Sequence, residues 1–309
     1  MLRRYPLEFP VEGEAVGQPV ERFVRRCLDA DPAHVQKLLR QQRVHFIPAV
    51  APGAPGAEVT LTRGAAIPAE GVLRLLRKAA GGRPAPAANR NIRLRVVHED
   101  PEFVVLDKPA GLPMHPGPRH GTDTLLNGLI ARYPECGQLG PECNHGLAHR
   151  LDLETSGLLV AARTARAHAS LVTQFEGREV EKQYLALAAA GEPGLEGGVI
   201  DLPVGEKPAV TEVAVLERRG PVLLLELRPR TGRTHQIRIH LAERGHPVLC
   251  DGRYGAGRDA LTARLYLKRL ALHAERLGFR HPETGAPLLF ERPLPRDLRH
   301  SWKRARGQE

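Results

Sequence analysis

Apolar residues recur along this chain with two different periods, and the places where one gives way to the other mark its elements. "VERFVRRCL" (20–28) puts Phe23, Val24, Cys27 and Leu28 on one helical face, and "PAHVQKLLRQQRV" (32–44) repeats the spacing through Val35, Leu38 and Leu39. Pro32 suits a first helical turn, where no backbone N–H is needed. The period then shortens, and "RVHFI" and "AEVTLT" read as short strands around a Pro/Gly turn. In "AAGGRPAPAANR" (79–90) Gly, Pro and Ala crowd out periodic apolar positions, so a linker is expected over 79–92. The chain is thus expected to divide into a small module at 12–68 and a larger domain at 93–298.

Beyond the linker, strand and helix patterns mix without a strict βαβ rhythm. "LRVVHEDPEFVVLDKP" predicts a hairpin with its turn at 99–102, and "TDTLLNGLIARY" a helix with Thr122 as N-cap. "GLLVAAR", "QYLALAAA", "TEVAVLE" and "VLLLELRP" read as strands; "ARAHASLVTQFEG" and "THQIRIHLAERG" read as helices. Hairpin-joined strands with a few helices argue for an α+β fold rather than a doubly wound parallel sheet. There is no repeat at a fixed period.

Charge changes this picture. The chain has 309 residues with 45 Lys and Arg against 35 Asp and Glu, a formal +10, and a basic balance of that size favours a polyanionic partner. Residues 1–92 hold 14 Lys and Arg against 8 Asp and Glu, so +6 of the +10 lies there. The outer faces of the two predicted helices carry Arg22, Arg25, Arg26, Lys37, Arg40 and Arg43, whereas a merely solvated face would mix signs. The four cysteines, Cys27, Cys136, Cys143 and Cys250, are scattered, which fits a reducing compartment. The N-terminus lacks the apolar core of a secretory signal, and no apolar run approaches the ~20 residues of a membrane span. A cytoplasmic protein without a membrane partner, and a monomer, is expected.

The candidate chemistry concentrates in two stretches. "HRLDLETSGLLV" (149–160) sets a carboxylate, Asp152, just before an apolar strand that would hold it rigidly, as a nucleophile or base requires. A surface turn in which Arg150 and Asp152 pair in solvent is the simpler account of those residues taken alone. A serine triad of Ser156, His149 and Asp152 lacks the Gly-x-Ser-x-Gly elbow. A zinc site at Cys136, Cys143, His145 and His149 lacks the usual ligand spacing. "RPRTGRTHQIRIHLAERGHPVLCDGRYG" (228–255) offers Arg228, Arg230, Arg233 and Arg238 as planar forks for phosphate or carboxylate. Within it "TGRTHQ" predicts a tight turn with Thr234 as N-cap of a helix whose free N–H groups suit an anion.

Four motifs in this order resemble those of the RluA-type pseudouridine synthases: "KPAGLPMHPG" (108–117), "HRLDLETSGLLVAAR" (149–163), "EKQYLAL" (181–187) and "TGRTHQIRIHLAERGHPVLCDGRYG" (231–255). The closing "RLALHAERLGFRHPETG" also fits, so the resemblance covers about residues 93–295. Arg163 stands where a lysine usually ends the signature strand, and Cys250 where glycine is customary. The N-terminal module resembles the alpha-L RNA-binding domain, without its usual Ser-Arg and Val-Asn-Gly elements.

The resemblance implies a mixed, mainly antiparallel central sheet with flanking helices and a catalytic cleft, preceded by a small α/β RNA-binding module. It implies isomerisation of uridine to pseudouridine in RNA without cofactor or metal. Asp152 would react, either by covalent attack or as a base on the ribose. Arg238 would keep that carboxylate charged, Ile237 would wall the pocket, and Tyr184 would stack on the uracil and serve in proton removal from C5. Arg150 would extrude the nucleotide. His149, Thr155, Arg233, His235 and Gln236 would complete the substrate site. Large-subunit ribosomal RNA is the expected target by family analogy, with transfer RNA as the alternative; a catalytically silent RNA-binding protein is the competing class.

Overall fold

The computed structural model describes residues 7–28, 32–40, 43–49, 59–75, 86–117 and 120–308. It divides into two compact units, Met1–Pro84 and Ala85–Glu309.

In the first unit, helices α1 (Val20–Leu28) and α2 (Pro32–Arg40) bury the stripes that their spacing predicts. Val20, Phe23, Val24 and Leu28 of α1 join Val35, Leu38 and Leu39 of α2 in one core with Val44, Phe46, Leu73 and Leu75. Each such side chain contributes on the order of 1.5–3 kcal/mol through loss of apolar surface to water. The last four residues belong to a four-stranded antiparallel sheet, in which β1 (Leu7–Val11), β4 (Gly71–Leu75), β2 (Val44–Pro48) and β3 (Val59–Thr60) lie in that order. The sheet therefore draws strands from both sides of the 12–68 range. Its edge strand β1 contains Pro10, which an edge tolerates because one side of the strand needs no N–H donor. The Pro/Gly turn between β2 and β3 and the first part of the linker fall outside the described residues.

The second unit is built on a nine-stranded sheet. Its strands are β5 (Val96–Glu99), β6 (Phe103–Lys108), β7 (Ser156–Ala162), β8 (Glu181–Ala189), β9 (Gly198–Asp201), β10 (Val210–Arg219), β11 (Val222–Pro229), β12 (Leu272–Arg280) and β13 (Pro287–Glu291). The order is β5-β6-β7-β12-β8-β11-β10-β9, with β13 added to β12. Only β7–β12 is parallel, so the sheet is mixed and mainly antiparallel, as the resemblance implies.

The hairpin β5–β6 and strand β7 form the platform for the site. Alternation along β6 sends Val104 and Leu106 to one face and Phe103 and Val105 to the other. Helices α3 (Leu125–Arg132) and α4 (Pro134–Gln138) cover the first face with Leu125, Leu126, Leu129 and Cys136; α5 (Ala165–Glu176) covers the second with Ala167 and Leu171. With both faces covered, all six residues of β6 and all seven of β7 are buried. Gly157 opens β7 at φ +115°, and a Cβ there would stand 2.2 Å from the Ala274 carbonyl oxygen of β12. Only glycine allows the two backbones to meet so closely.

Two expected caps fall elsewhere. The cap of α3 is Thr124, whose side chain accepts from the Asn127 N–H while Asn127 answers the Thr124 N–H. Thr122 instead lends its carbonyl to Asn89. Helix α6 (Gln236–Glu243) follows His235 in left-handed backbone (φ 57°), with no side-chain cap, and Thr234 is exposed. Gln236 holds that turn instead, accepting from the Thr231 hydroxyl and Arg233 N–H and donating to the Val210 carbonyl and Thr211 hydroxyl. Among the described residues no helix is long and apolar enough to cross a membrane.

Candidate active site

Asp152 sits in the turn that enters β7, where its own carbonyl accepts from the Thr155 N–H. The turn is pinned from beneath by Lys108, the last residue of β6, whose ammonium donates to the carbonyls of Pro109, Leu112 and Leu153, each at 3.0 Å. Burial presses the Lys108 pKa down to about 8, against the pull of Asp152. Gly111 N–H donates to the same Leu153 carbonyl at 2.8 Å. Motif residues 108–111 and 152–153 thus make one scaffold, and the Asp152 side chain is left 17% exposed at its rim.

Arg238, on the first turn of α6, approaches Asp152 at 3.5 Å through Nη1. Its other two nitrogens are clamped by Asp251: Nε to Oδ2 at 2.7 Å and Nη2 to Oδ1 at 2.8 Å. Burial opposes the guanidinium charge, but the Asp251 bonds, with the fields of Asp251 and Asp152, outweigh it and hold Arg238 protonated. Asp251 is itself fixed by backbone N–H groups of Arg253 and Tyr254. Burial alone would neutralise it; the Arg238 bonds and these donors hold its carboxyl below the usual range. The bidentate geometry fixes the direction of the fork as well as its charge.

The remaining candidates divide between those gathered at Asp152 and those held elsewhere. His235 Nε2 lies 3.8 Å from Asp152 Oδ1, and its Nδ1 is 3.0 Å from the Tyr254 hydroxyl; burial lowers its pKa despite Asp152, so it is neutral at pH 7. Tyr184 is half-buried on β8, and burial together with the Asp152 charge raises its pKa, keeping the phenol protonated. The Thr155 hydroxyl is buried with no partner among the described residues. Arg150 is exposed, and no bond ties its guanidinium to another described residue. Ile237 is buried in the core behind the site. Arg233 is bound through Nε to the Pro208 carbonyl, and Gln236 is spent on its own turn.

His149 turns away from Asp152. Its Nε2 accepts the Val160 N–H at 3.0 Å and its ring stacks on Phe175 at 4.5 Å. Ser156 is buried against His273, 2.9 Å from Nδ1, so no Ser156–His149–Asp152 triad exists. The zinc candidates are likewise dispersed: Cys136 Sγ lies against the Ala162 carbonyl and His145 against that of Gly137. Among the described residues no cluster could hold a metal ion.

Asp251, Tyr254 and Lys108 are the site residues that motif chemistry alone did not single out. The signal for Asp251 was present: an acid between the apolar "PVLC" and the glycine of "DGRYG" can be buried only with a cation.

Known proteins match this chain across the same platform. A family model described as RNA pseudouridylate synthase matches residues 102–243. Ribosomal large subunit pseudouridine synthase D of Neisseria meningitidis serogroup B is 43% identical over 228 residues, 67% of this chain and 60% of that protein. An uncharacterized RNA pseudouridine synthase of Chloroflexus aurantiacus is 39% identical over 298 residues, 90% of this chain and 87% of the relative. The solved structure of human RNA pseudouridylate synthase domain containing 4 aligns with TM-score 0.55 at 28% identity, covering 69% of this chain and 93% of that one. The chain belongs to the RNA pseudouridylate synthase family, in its RluA branch. It spans 60% of the length of the Neisseria relative.

Proposed function

We propose that the protein isomerises uridine to pseudouridine in large-subunit ribosomal RNA, with Asp152 as the reacting group. One observation carries the reading: a rigidly mounted carboxylate faces a charged arginine fork that is aimed by a second, buried carboxylate. An ionised carboxylate in a closing pocket needs that cation to remain charged. The name of the Neisseria relative supports ribosomal RNA over transfer RNA.

In the reaction the N1–C1′ bond of the nucleotide breaks and a C5–C1′ bond forms. The C5 proton leaves and N1 gains one, so product and substrate are isomers, and the balance calls for no cofactor. Asp152 drives bond breaking, by attack or by removing a ribose proton. Tyr184 stacks on the base and takes part in the loss of the C5 proton, for which its protonated phenol needs an acceptor such as Asp152. Arg150, exposed and unpaired, fills the space vacated by the extruded nucleotide.

The test is tritium release from RNA labelled at uracil C5. Wild type should release tritium from unmodified ribosomal RNA and not from transfer RNA, while Asp152→Asn should bind ribosomal RNA with unchanged affinity and release none. Release by Asp152→Asn would remove Asp152 from the reaction. Binding without release by wild type would favour a silent RNA-binding protein.

A further inference from the structure

A basic cavity of about 60 Å³ lies at the start of β8, with walls that include Phe175, Arg178, Glu181, Lys182, Arg228 and Arg230. About 10–15 Å³ of such space holds one water, so an anion the size of a phosphate fits. Two of its cations are already engaged. Arg228 Nη2 lies 2.8 Å from Glu226, and Arg230 Nη2 lies 2.6 Å from Glu212. Glu181 leans toward Arg276, at 3.9 Å.

Lys182 and Arg178 differ from them. Neither cationic head meets a carboxylate or a hydrogen-bond acceptor among the described residues. Lys182 is part-buried, and burial together with the neighbouring Arg178 charge lowers its pKa. Arg178 stands in left-handed backbone at φ 60°, just past the end of α5. A desolvated ammonium without a counter-charge and a strained non-glycine residue each cost stability. No carboxylate among the described residues supplies the counter-charge that Lys182 lacks, whereas an anion in the cavity would.

The cavity shares strand β8 with Tyr184. Lys182 and Tyr184 are two residues apart on β8, hence on one face and roughly 7 Å apart along the strand. The Tyr184 phenol feels the Asp152 charge, and His149, stacked on the cavity wall residue Phe175, feels Lys182.

We propose that Lys182 and Arg178, backed by Arg228 and Arg230, bind a backbone phosphodiester of the RNA strand beside the nucleotide presented to Asp152. The proposal rests on the RNA reading above and assigns one anchoring contact within it.

The test measures binding of an unmodified ribosomal RNA transcript to the full chain across a salt series, beside thermal unfolding of the free protein. For Lys182→Met the slope of log affinity against log salt should shrink by about 0.7–0.9, the worth of one neutralised phosphate. Its unfolding midpoint should rise, because an unpaired charge gives way to an apolar chain. Lys182→Arg should keep the wild-type slope. Arg178→Ala, at an exposed position, should flatten the slope without lowering the midpoint, and it decides the matter should Lys182→Met fail to fold. An unchanged slope in Lys182→Met and Arg178→Ala overturns the site, as does a lowered midpoint with unchanged slope, which would make Lys182 a packing residue. A midpoint raised by inorganic phosphate in wild type only, with no change of RNA slope, would mean a small-anion site and overturns the RNA assignment. The isomerase reading fails separately: tritium release can be absent while the slope still falls, or present while the slope does not.

Discussion

Cations are used differently in the two units of this chain. In the smaller one, Arg22, Arg25, Arg26, Lys37 and Arg40 line the exposed faces of α1 and α2 with no carboxylate partner among the described residues; Arg26 leans only on the Phe23 ring. In the larger one, several arginines are matched to acids: Arg163 to Glu135, Arg219 to Glu217 and Arg238 to Asp251 at 2.7 Å, and Arg292 to Asp107 at 3.1 Å. Other cations there, Arg150, Arg178 and Lys182 among them, meet no carboxylate among the described residues. Pairing silences a charge toward a polyanion, so on the proposed reading the unpaired cations of α1 and α2, with Arg150, Arg178 and Lys182, are candidates to meet a strand of RNA.

That contrast can be broken most forcefully at Asp251. Asp251→Ala leaves the buried Arg238 charge facing only Asp152, at 3.5 Å, and a loss of roughly 3–5 kcal/mol is expected in urea unfolding. Asp251→Asn keeps an oxygen for the Arg253 and Tyr254 N–H groups and should lose less stability, yet slow tritium release with RNA affinity unchanged. Unaltered stability in the alanine variant would mean that the pair does not hold Arg238. His149 sharpens the comparison as a base kept uncharged. Burial, then the Lys182 charge, lowers its pKa from 6.5 to about 3. Between those values the unfolded chain binds a proton that the folded chain refuses. The His149 contribution is therefore complete above pH 6.5 and is lost as pH falls toward 3, at up to about 1.4 kcal/mol per pH unit. His149→Gln, which can still accept the Val160 N–H, should flatten acid destabilisation by up to one proton; an unchanged profile would show that His149 titrates normally. The smallest change in stability is expected on α1 and α2. Replacing Arg22, Arg25, Arg26, Lys37 and Arg40 by glutamine should shift stability by no more than about 0.5 kcal/mol each. The salt slope for ribosomal RNA should nevertheless shrink by about 0.7–0.9 for each phosphate that these side chains neutralise. An unchanged slope would remove the small unit from RNA binding.

The parts legible in the sequence are those that local chemistry decides. Helix α1 spans the stretch its apolar stripe marks, and the β5–β6 hairpin turns where Asp100 and Pro101 interrupt two β-rich runs. The carboxylate before β7 was visible because the strand behind it is apolar at nearly every position. What escaped depends on distant partners. Strands β1 and β4 are short and find each other across most of their unit. Two threonines flank Asp123, and only Asn127 three residues on distinguishes Thr124 as the cap. His235 adopts a left-handed backbone that a non-glycine residue rarely takes, so the start of α6 moved past Thr234. His149 shares a motif with Asp152 yet belongs to the packing of Phe175, a distinction that adjacency in sequence cannot make.

The site also has an order of assembly written into it. Arg238 follows Asp152 by 86 residues, and the Ser156–His273 bond that ties β7 to β12 spans 117. During synthesis the carboxylate emerges with its own hairpin long before the arginine that it will face exists. Contacts of such long range must close large loops before they stabilise anything, so they form late. The local platform of β6, β7 and α5 can fold first with Asp152 still fully hydrated, and reactivity would arise only when α6 and β12 dock. On the proposed reading, a truncated or partly folded chain would present cations to RNA without a competent carboxylate.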